Sequence, residues 1–175
     1  MRSSAASDVY KRQTRYHANL ETSARYFPQI CSTHTYQDKI ENILRARRAG
    51  LSVCSGGIIG MGETPEDRLN MAISLAELHI TSIPINLFTP IEGTPLAKTP
   101  PISQEDALRT VAFFRYLNPT AQIRMAAGRR RFADSGAAFF CSGANAAITG
   151  NMLTTAGTSA AEDCLMVKRL GFTLS

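Results

Sequence analysis

Apolar residues in this chain follow two rhythms that alternate from residue 16 onward. In short runs nearly every position is apolar; in longer stretches apolar positions recur every three or four residues. The first rhythm suits strands covered on both faces, the second helices with one buried side. Residues 16–20 form a short extended run. Residues 35–49 have helical spacing (Tyr36, Ile40, Ile43, Leu44) and stop at Gly50, a residue suited to the position just past a helix end. Residues 51–59 predict a strand. Residues 64–78 predict a helix with Thr64 as N-cap, Pro65 in the first turn and Asp67 three residues on. A second buried strand, 82–88 (SIPINLF), enters a loop built on Pro90 and Gly93-Thr94-Pro95. Helix 103–117 follows, with Ser103 and Asp106 as a variant capping box. Strand 121–126 runs into Gly128, then a helix near 130–141, strand 144–149 ending at Gly150, and helix 159–170 stopped by Gly171.

Five strands alternating with helices call for a parallel α/β sheet with helical crossovers. Five such units are too few to close an eight-stranded barrel, which takes about 250 residues. Periodicity alone leaves an open doubly wound sheet and part of a barrel both standing. The polar positions narrow this. Asn19, Cys54, Asn86, Arg124 and the pair Thr154-Thr155 each sit at, or just past, a predicted strand. In a barrel such positions converge on one site, whereas an open sheet strings them along an edge.

Composition adds bounds rather than chemistry. At 175 residues, 44% apolar and 19% charged, the chain can bury one sizeable core. Its net charge of +5 comes partly from MRSSAASDVYKRQ, residues 1–13, which are unpatterned and are expected to stand outside a domain formed by residues 14–175. Arg129-Arg130-Arg131 reads as a solvated helical face. It has no aromatic interleaving for base stacking, which argues against nucleic acid. No stretch approaches the ~18 apolar residues of a membrane span. The four cysteines are widely spaced, without a C-x-x-C pair or a zinc-type histidine pattern. With no secretory signal pattern, reduced thiols and a cytoplasmic location are expected. Cys31, Cys141 and Cys164 read as structural, and His17, His34 and His79 lack metal-ligand spacing.

The richest stretch is 51–63, LSVCSGGIIGMGE: a strand carrying Cys54 that opens into a glycine loop and closes on Glu63 before a helix. Together with YHANLETS (16–23), ICSTHTY (30–36), SIPINLFTPIEGTPL (82–96), IRMAAGR (123–129) and GANAAITGNMLTT (143–155), it resembles the biotin synthase family of radical S-adenosylmethionine enzymes. The resemblance covers nearly everything from Tyr16 to Gly171, in order. It implies an incomplete (β/α)8 TIM-type barrel, approximately strands four to eight, as the C-terminal part of a radical S-adenosylmethionine domain. The C-x-x-x-C-x-x-C loop that holds the family's [4Fe–4S] cluster is not among these residues. A fragment inactive by itself is therefore expected.

The family reaction inserts sulfur into dethiobiotin to give biotin, using a radical made from S-adenosylmethionine and an auxiliary [2Fe–2S] cluster as sulfur donor. By resemblance, Cys54 and Arg124 are ligands of that auxiliary cluster. Without the family, Arg124 reads as a barrel-lining charge paired to Glu63 or Glu92. Asn19, Asn86, Thr154 and Thr155 match substrate-contacting positions. Glu21, Gly56, Ile58, Gly60 and Glu63 match cofactor-contacting ones, with the missing side chains letting an adenine ring lie on backbone. Implied partners are dethiobiotin, an electron donor such as flavodoxin or ferredoxin, and a second copy in a homodimer of the full-length protein. Ala18 stands where many relatives have histidine, and Arg130 where glutamate is usual. A sister radical S-adenosylmethionine maturase and an inert half-barrel are the competing readings.

Overall fold

A computed structural model describes residues 14–151 and 157–173. Among the described residues six strands form one parallel sheet: β1 (Arg15–His17), β2 (Ser52–Cys54), β3 (Gly57–Ile59), β4 (Ser82–Leu87), β5 (Gln122–Met125) and β6 (Ala146–Ala147). Their order is β1-β2-β4-β5-β6, with β3 continuing the line of β2 along β4. Helices α1 (Phe27–Ile30), α2 (Tyr36–Arg48), α3 (Pro65–Glu77), α4 (Gln104–Leu117), α5 (Ala137–Cys141) and α6 (Ala160–Arg169) fill the connections.

Local sequence sets most helix starts. Thr35, Thr64 and Ser159 each close a reciprocal capping box, with Asp38, Asp67 and Glu162 three residues on. Alternation along the strands sets the packing. Val53, Ile83, Ile85, Leu87, Ile123 and Met125 join one hydrophobic cluster with Ile43 of α2, Met71 and Leu75 of α3, Val111 and Phe114 of α4, and Phe139 of α5. Residues between them point to the opposite face, because side chains alternate along a strand. That second face carries Cys54, Ser82, Pro84, Asn86 and Arg124, and no residue of it belongs to the cluster.

The expected strand 51–59 is two strands, split at Ser55-Gly56. The register sets Gly56 opposite Pro84, which has no N–H to give the ladder. A Cβ at Gly56 would lie 2.0 Å from the Pro84 carbonyl oxygen, so only glycine lets the two backbones pass this closely.

The expected helix 130–141 is instead a 3-10 turn (Arg129–Arg131) followed, after a break, by α5. Gly136 holds a left-handed φ of +88°, and the Asp134 carboxylate accepts from the N–H groups of Gly136 (2.9 Å) and Ala138 (2.8 Å), so a new helix starts there. The arginine run is a solvated face only in part: Arg130 and Arg131 are exposed, and Arg129 turns inward. Arg129 is 3% exposed; its guanidinium pairs with buried Asp163 and donates to the Thr158 hydroxyl and the Ser135 carbonyl. Arg131 donates to the carbonyls of Phe88 and Ile102, and Arg130 to that of Gly157. Arg129 and Arg130 thus fasten the segment before α6, and Arg131 the connection between β4 and α4. The expected strand 144–149 is paired only at Ala146 and Ala147, since the Asn145 side chain takes the N–H of Ile123. Helix α1 was not signalled by any capping pattern.

Among the described residues, no helix is long and apolar enough to cross a membrane.

Candidate functional site

The polar face brings four sequence-selected residues to one side of the sheet. Cys54 ends β2, Asn86 lies near the end of β4, Arg124 is in β5, and Asn19 follows β1. The Cys54 thiol is buried, and the hydroxyl of Ser82, its register partner, donates to Sγ at 3.2 Å. Arg124 is half-buried. Its Nε–H donates to the same Ser82 oxygen at 3.0 Å, and a terminal nitrogen reaches Oε1 of Gln122. Sulfur, hydroxyl and guanidinium thus form one chain across three adjacent strands. Among the described residues no carboxylate lies within ion-pair distance of Arg124. Glu63, one partner expected for it, pairs with Arg68 instead.

Ser82 gave no signal in the sequence. A serine in an apolar strand next to Ile83 reads as a tolerated small residue until the register sets it beside Cys54. His17 also pairs in register with Cys54, from the β1 side, and so falls on the same face.

The glycine loop is fixed from several sides. Asn19 Oδ1 accepts from the Gly56 N–H at 3.1 Å, replacing a ladder partner where the chain leaves β1. Glu21 adopts a left-handed backbone (φ +72°), so that its N–H donates to the Gly56 carbonyl and its carbonyl accepts from Ile58. Its side chain is half-buried, 4.0 Å from the Lys39 ammonium. The buried Glu63 carboxylate accepts from the N–H groups of Gly60 and Met61, both at 2.7 Å, and from Arg68 at 3.1 Å. Asn86 bridges β3 and the end of β5, donating to the Gly57 carbonyl and accepting from Ala127 N–H, both at 3.3 Å.

The missing side chains of this loop admit protein. A Cβ at Gly57 would meet the Glu21 carbonyl at 2.5 Å, and one at Gly60 would press on Ile102. Close packing explains these glycines without any ligand, and Glu63 shapes the loop instead of pointing out of it.

Behind the loop, Asp67 ties α3 to the segment after β1. It accepts from Ser23 Oγ at 2.6 Å, from Thr64 N–H at 2.9 Å and Thr64 Oγ at 2.8 Å, and from the Arg25 guanidinium. Burial, the largest single influence, pushes this carboxyl up. The hydrogen bonds together outweigh it and hold the group at about 2.

Thr154 and Thr155 lie outside the described residues. Among the described residues, no group of three or more His, Cys, Asp or Glu comes together that could hold a metal ion. Among the described residues, the groups on the polar face that could meet a metal are the buried Cys54 thiol, the Arg124 guanidinium with no carboxylate partner and, by register, His17. They suit part of the ligand shell of an iron–sulfur cluster whose other ligands come from elsewhere, and do not suit a complete site within these residues.

A family model, the Biotin and Thiamin Synthesis associated domain, matches residues 84–173. A biotin synthase of Clostridium beijerinckii is 60% identical over 161 residues, covering 92% of this chain and 51% of the relative. One of Alkaliphilus metalliredigens is 58% identical over 159 residues, covering 91% and 50%. The chain spans about half the length of these curated relatives. Among solved structures, methylornithine synthase superposes with a TM-score of 0.76 at 16% identity, over 93% of this chain and 52% of that one. Hydroxymethylglutaryl-CoA lyase from Pseudomonas aeruginosa gives 0.57 at 11%, over 97% and 59%. At these identities the likeness speaks to fold alone. The sheet is part of a TIM-type barrel, and its polar face is the barrel's inner wall.

Proposed function

This chain belongs to the biotin and thiamin synthesis associated domain family, and from that premise we propose that its residues supply half of a biotin synthase barrel. The observation that carries the reading is the thiol of Cys54 and the guanidinium of Arg124 joined through a single hydroxyl on the inner wall. In this reading Cys54 and Arg124 hold one side of an auxiliary [2Fe–2S] cluster. When bound, that cluster supplies the sulfur atom inserted into dethiobiotin. To bind iron, a terminal nitrogen of Arg124 must give up a proton, and no carboxylate partner among the described residues holds that proton in place.

The remaining residues bind, orient and keep water out. The Asn19 amide hydrogens, and the one hydrogen and one lone pair that Asn86 has beyond its bonds to Gly57 and Ala127, hold the ureido ring of dethiobiotin, which needs both donors and acceptors. Thr154 and Thr155 receive its carboxylate. The Glu21 carboxylate accepts from a ribose hydroxyl of S-adenosylmethionine, and the adenine ring packs beside Ile58 on the loop that Glu63 holds rigid, not into the spaces at Gly56, Gly57 and Gly60, which Pro84, Glu21 and Ile102 already fill. The radical-generating [4Fe–4S] cluster is held by residues this chain does not supply, and it is reduced by a carrier of the flavodoxin or ferredoxin class. The protein positions and the cofactors react.

A chimera joining the N-terminal half of the C. beijerinckii enzyme to residues 14–173 tests this. After anaerobic reconstitution with iron and sulfide it is expected to convert dethiobiotin to biotin. Cys54→Ser is expected to abolish the auxiliary cluster's absorbance and spare the radical-generating cluster. Loss of both clusters, or of neither, would contradict the assignment. Stoichiometric cluster binding and S-adenosylmethionine cleavage by the 175-residue chain alone would contradict the half-site reading.

A further inference from the structure

Ser82 is 2% exposed, opens a strand whose other inner-wall positions are Pro84 and Asn86, and makes two bonds that no backbone ladder needs. A hydroxyl has one proton and two lone pairs. Here the proton goes to the Cys54 sulfur and a lone pair takes the Arg124 Nε–H, so the serine is satisfied in both directions. The direction of the chain matters. A guanidinium donating into the oxygen polarises the O–H and strengthens the bond it gives to sulfur. Arg124 is registered one step along the sheet, opposite Pro84, and its side chain must turn back toward the Ser82 level to make this contact. Gln122, the register partner of Ser82, takes a terminal nitrogen at the same level, but among the described residues only the Ser82 hydroxyl accepts from Nε.

We propose that Ser82 is a positioning residue that fixes the Cys54 sulfur and the Arg124 guanidinium at a set separation and donates an O–H···S bond that tunes the cluster they hold. The inference rests on the cluster reading above and extends it to a residue with no ligand role. Hydrogen bonds to cluster sulfurs raise the reduction potential, because they stabilise the more negative reduced state. Such a bond also keeps the arginine, a weak ligand, pointed at the metal before iron arrives.

Two variants separate positioning from mere packing: Ser82→Ala removes the hydroxyl, and Ser82→Thr keeps it. In the 175-residue chain without metal, the Arg124 Nε–H resonance is expected to be slow to exchange in the unaltered protein and Ser82→Thr, and fast in Ser82→Ala. In the reconstituted chimera, Ser82→Ala is expected to keep both clusters, shift the auxiliary cluster's potential downward and change its visible circular dichroism, with Ser82→Thr restoring both. Equal Nε–H exchange in Ser82→Ala and the unaltered chain, or an auxiliary potential that ignores Ser82→Ala, would overturn the inference while leaving the cluster reading intact. Loss of both clusters in Ser82→Ala and Ser82→Thr alike would show a packing role and overturn it too. An unaltered chimera with no auxiliary cluster would instead remove the reading beneath it, and the inference with it.

Discussion

Replacing Asp67 with asparagine is the sharpest test of how the site is held, because the carboxylate joins three parts of the chain. It caps α3 through Thr64, receives Ser23 and Arg25 from the segment after β1, and lies four residues beyond the Glu63 that fixes the glycine loop. Its pKa falls from the ordinary 3.8 to about 2 in the folded protein. At ~1.4 kcal/mol per pH unit, that drop corresponds to roughly 2 kcal/mol of stability at neutral pH. The sign follows from proton affinity. The folded state binds this proton more weakly than the unfolded chain, so the stabilisation is complete above about pH 4 and is lost as pH falls toward 2. Chemical denaturation of the 175-residue chain from pH 7 down to about pH 2 measures it. Asp67→Asn is expected to be less stable by about 2 kcal/mol at pH 7 and to show a flatter acid limb. Arg25→Met should cost less, under about 1 kcal/mol, since that side chain is largely exposed. An Asp67→Asn protein as stable as the parent at pH 7, or one with an unchanged acid limb, would refute the reasoning.

Two further outcomes are expected. Asp163→Asn leaves the buried Arg129 guanidinium without its counter-charge and should cost about 3–5 kcal/mol in denaturant unfolding, against far less for Arg130→Met at the exposed neighbour. Gly56→Ala sets a methyl against the Pro84 carbonyl and should cost at least ~4 kcal/mol or prevent soluble expression, whereas Gly93→Ala, with open space around it, should cost no more than about 1 kcal/mol from its left-handed backbone; comparison of soluble yield and thermal midpoint decides.

The order of elements was legible because it is written in local chemistry. Thr64-Pro65 with Asp67, Thr35 with Asp38, and Ser159 with Glu162 are helix starts that need no tertiary context, since the bonds lie within four residues. The runs at 51–59 and 82–88 are apolar at most positions, which marks them as covered strands and leaves the choice of face to the register. Cys54, Arg124 and Asn86 were legible as candidates for the same reason: polar groups in otherwise apolar strands need an account.

Contacts between distant residues were beyond the sequence. Whether Arg129 faces water or Asp163 depends on how α6 returns across the sheet end, thirty-four residues later. The split of 51–59 depends on a proline in the neighbouring strand, and the glycines that suggested an open cradle are filled by Pro84, Glu21 and Ile102. Ser82 acquires meaning only through the parallel register that sets residues 54, 82 and 124 on one wall. Capping and apolar runs span a few residues of backbone and are read from the sequence directly. Register, charge pairing and close approach are long-range, and only the folded sheet chooses among the partners the sequence offers.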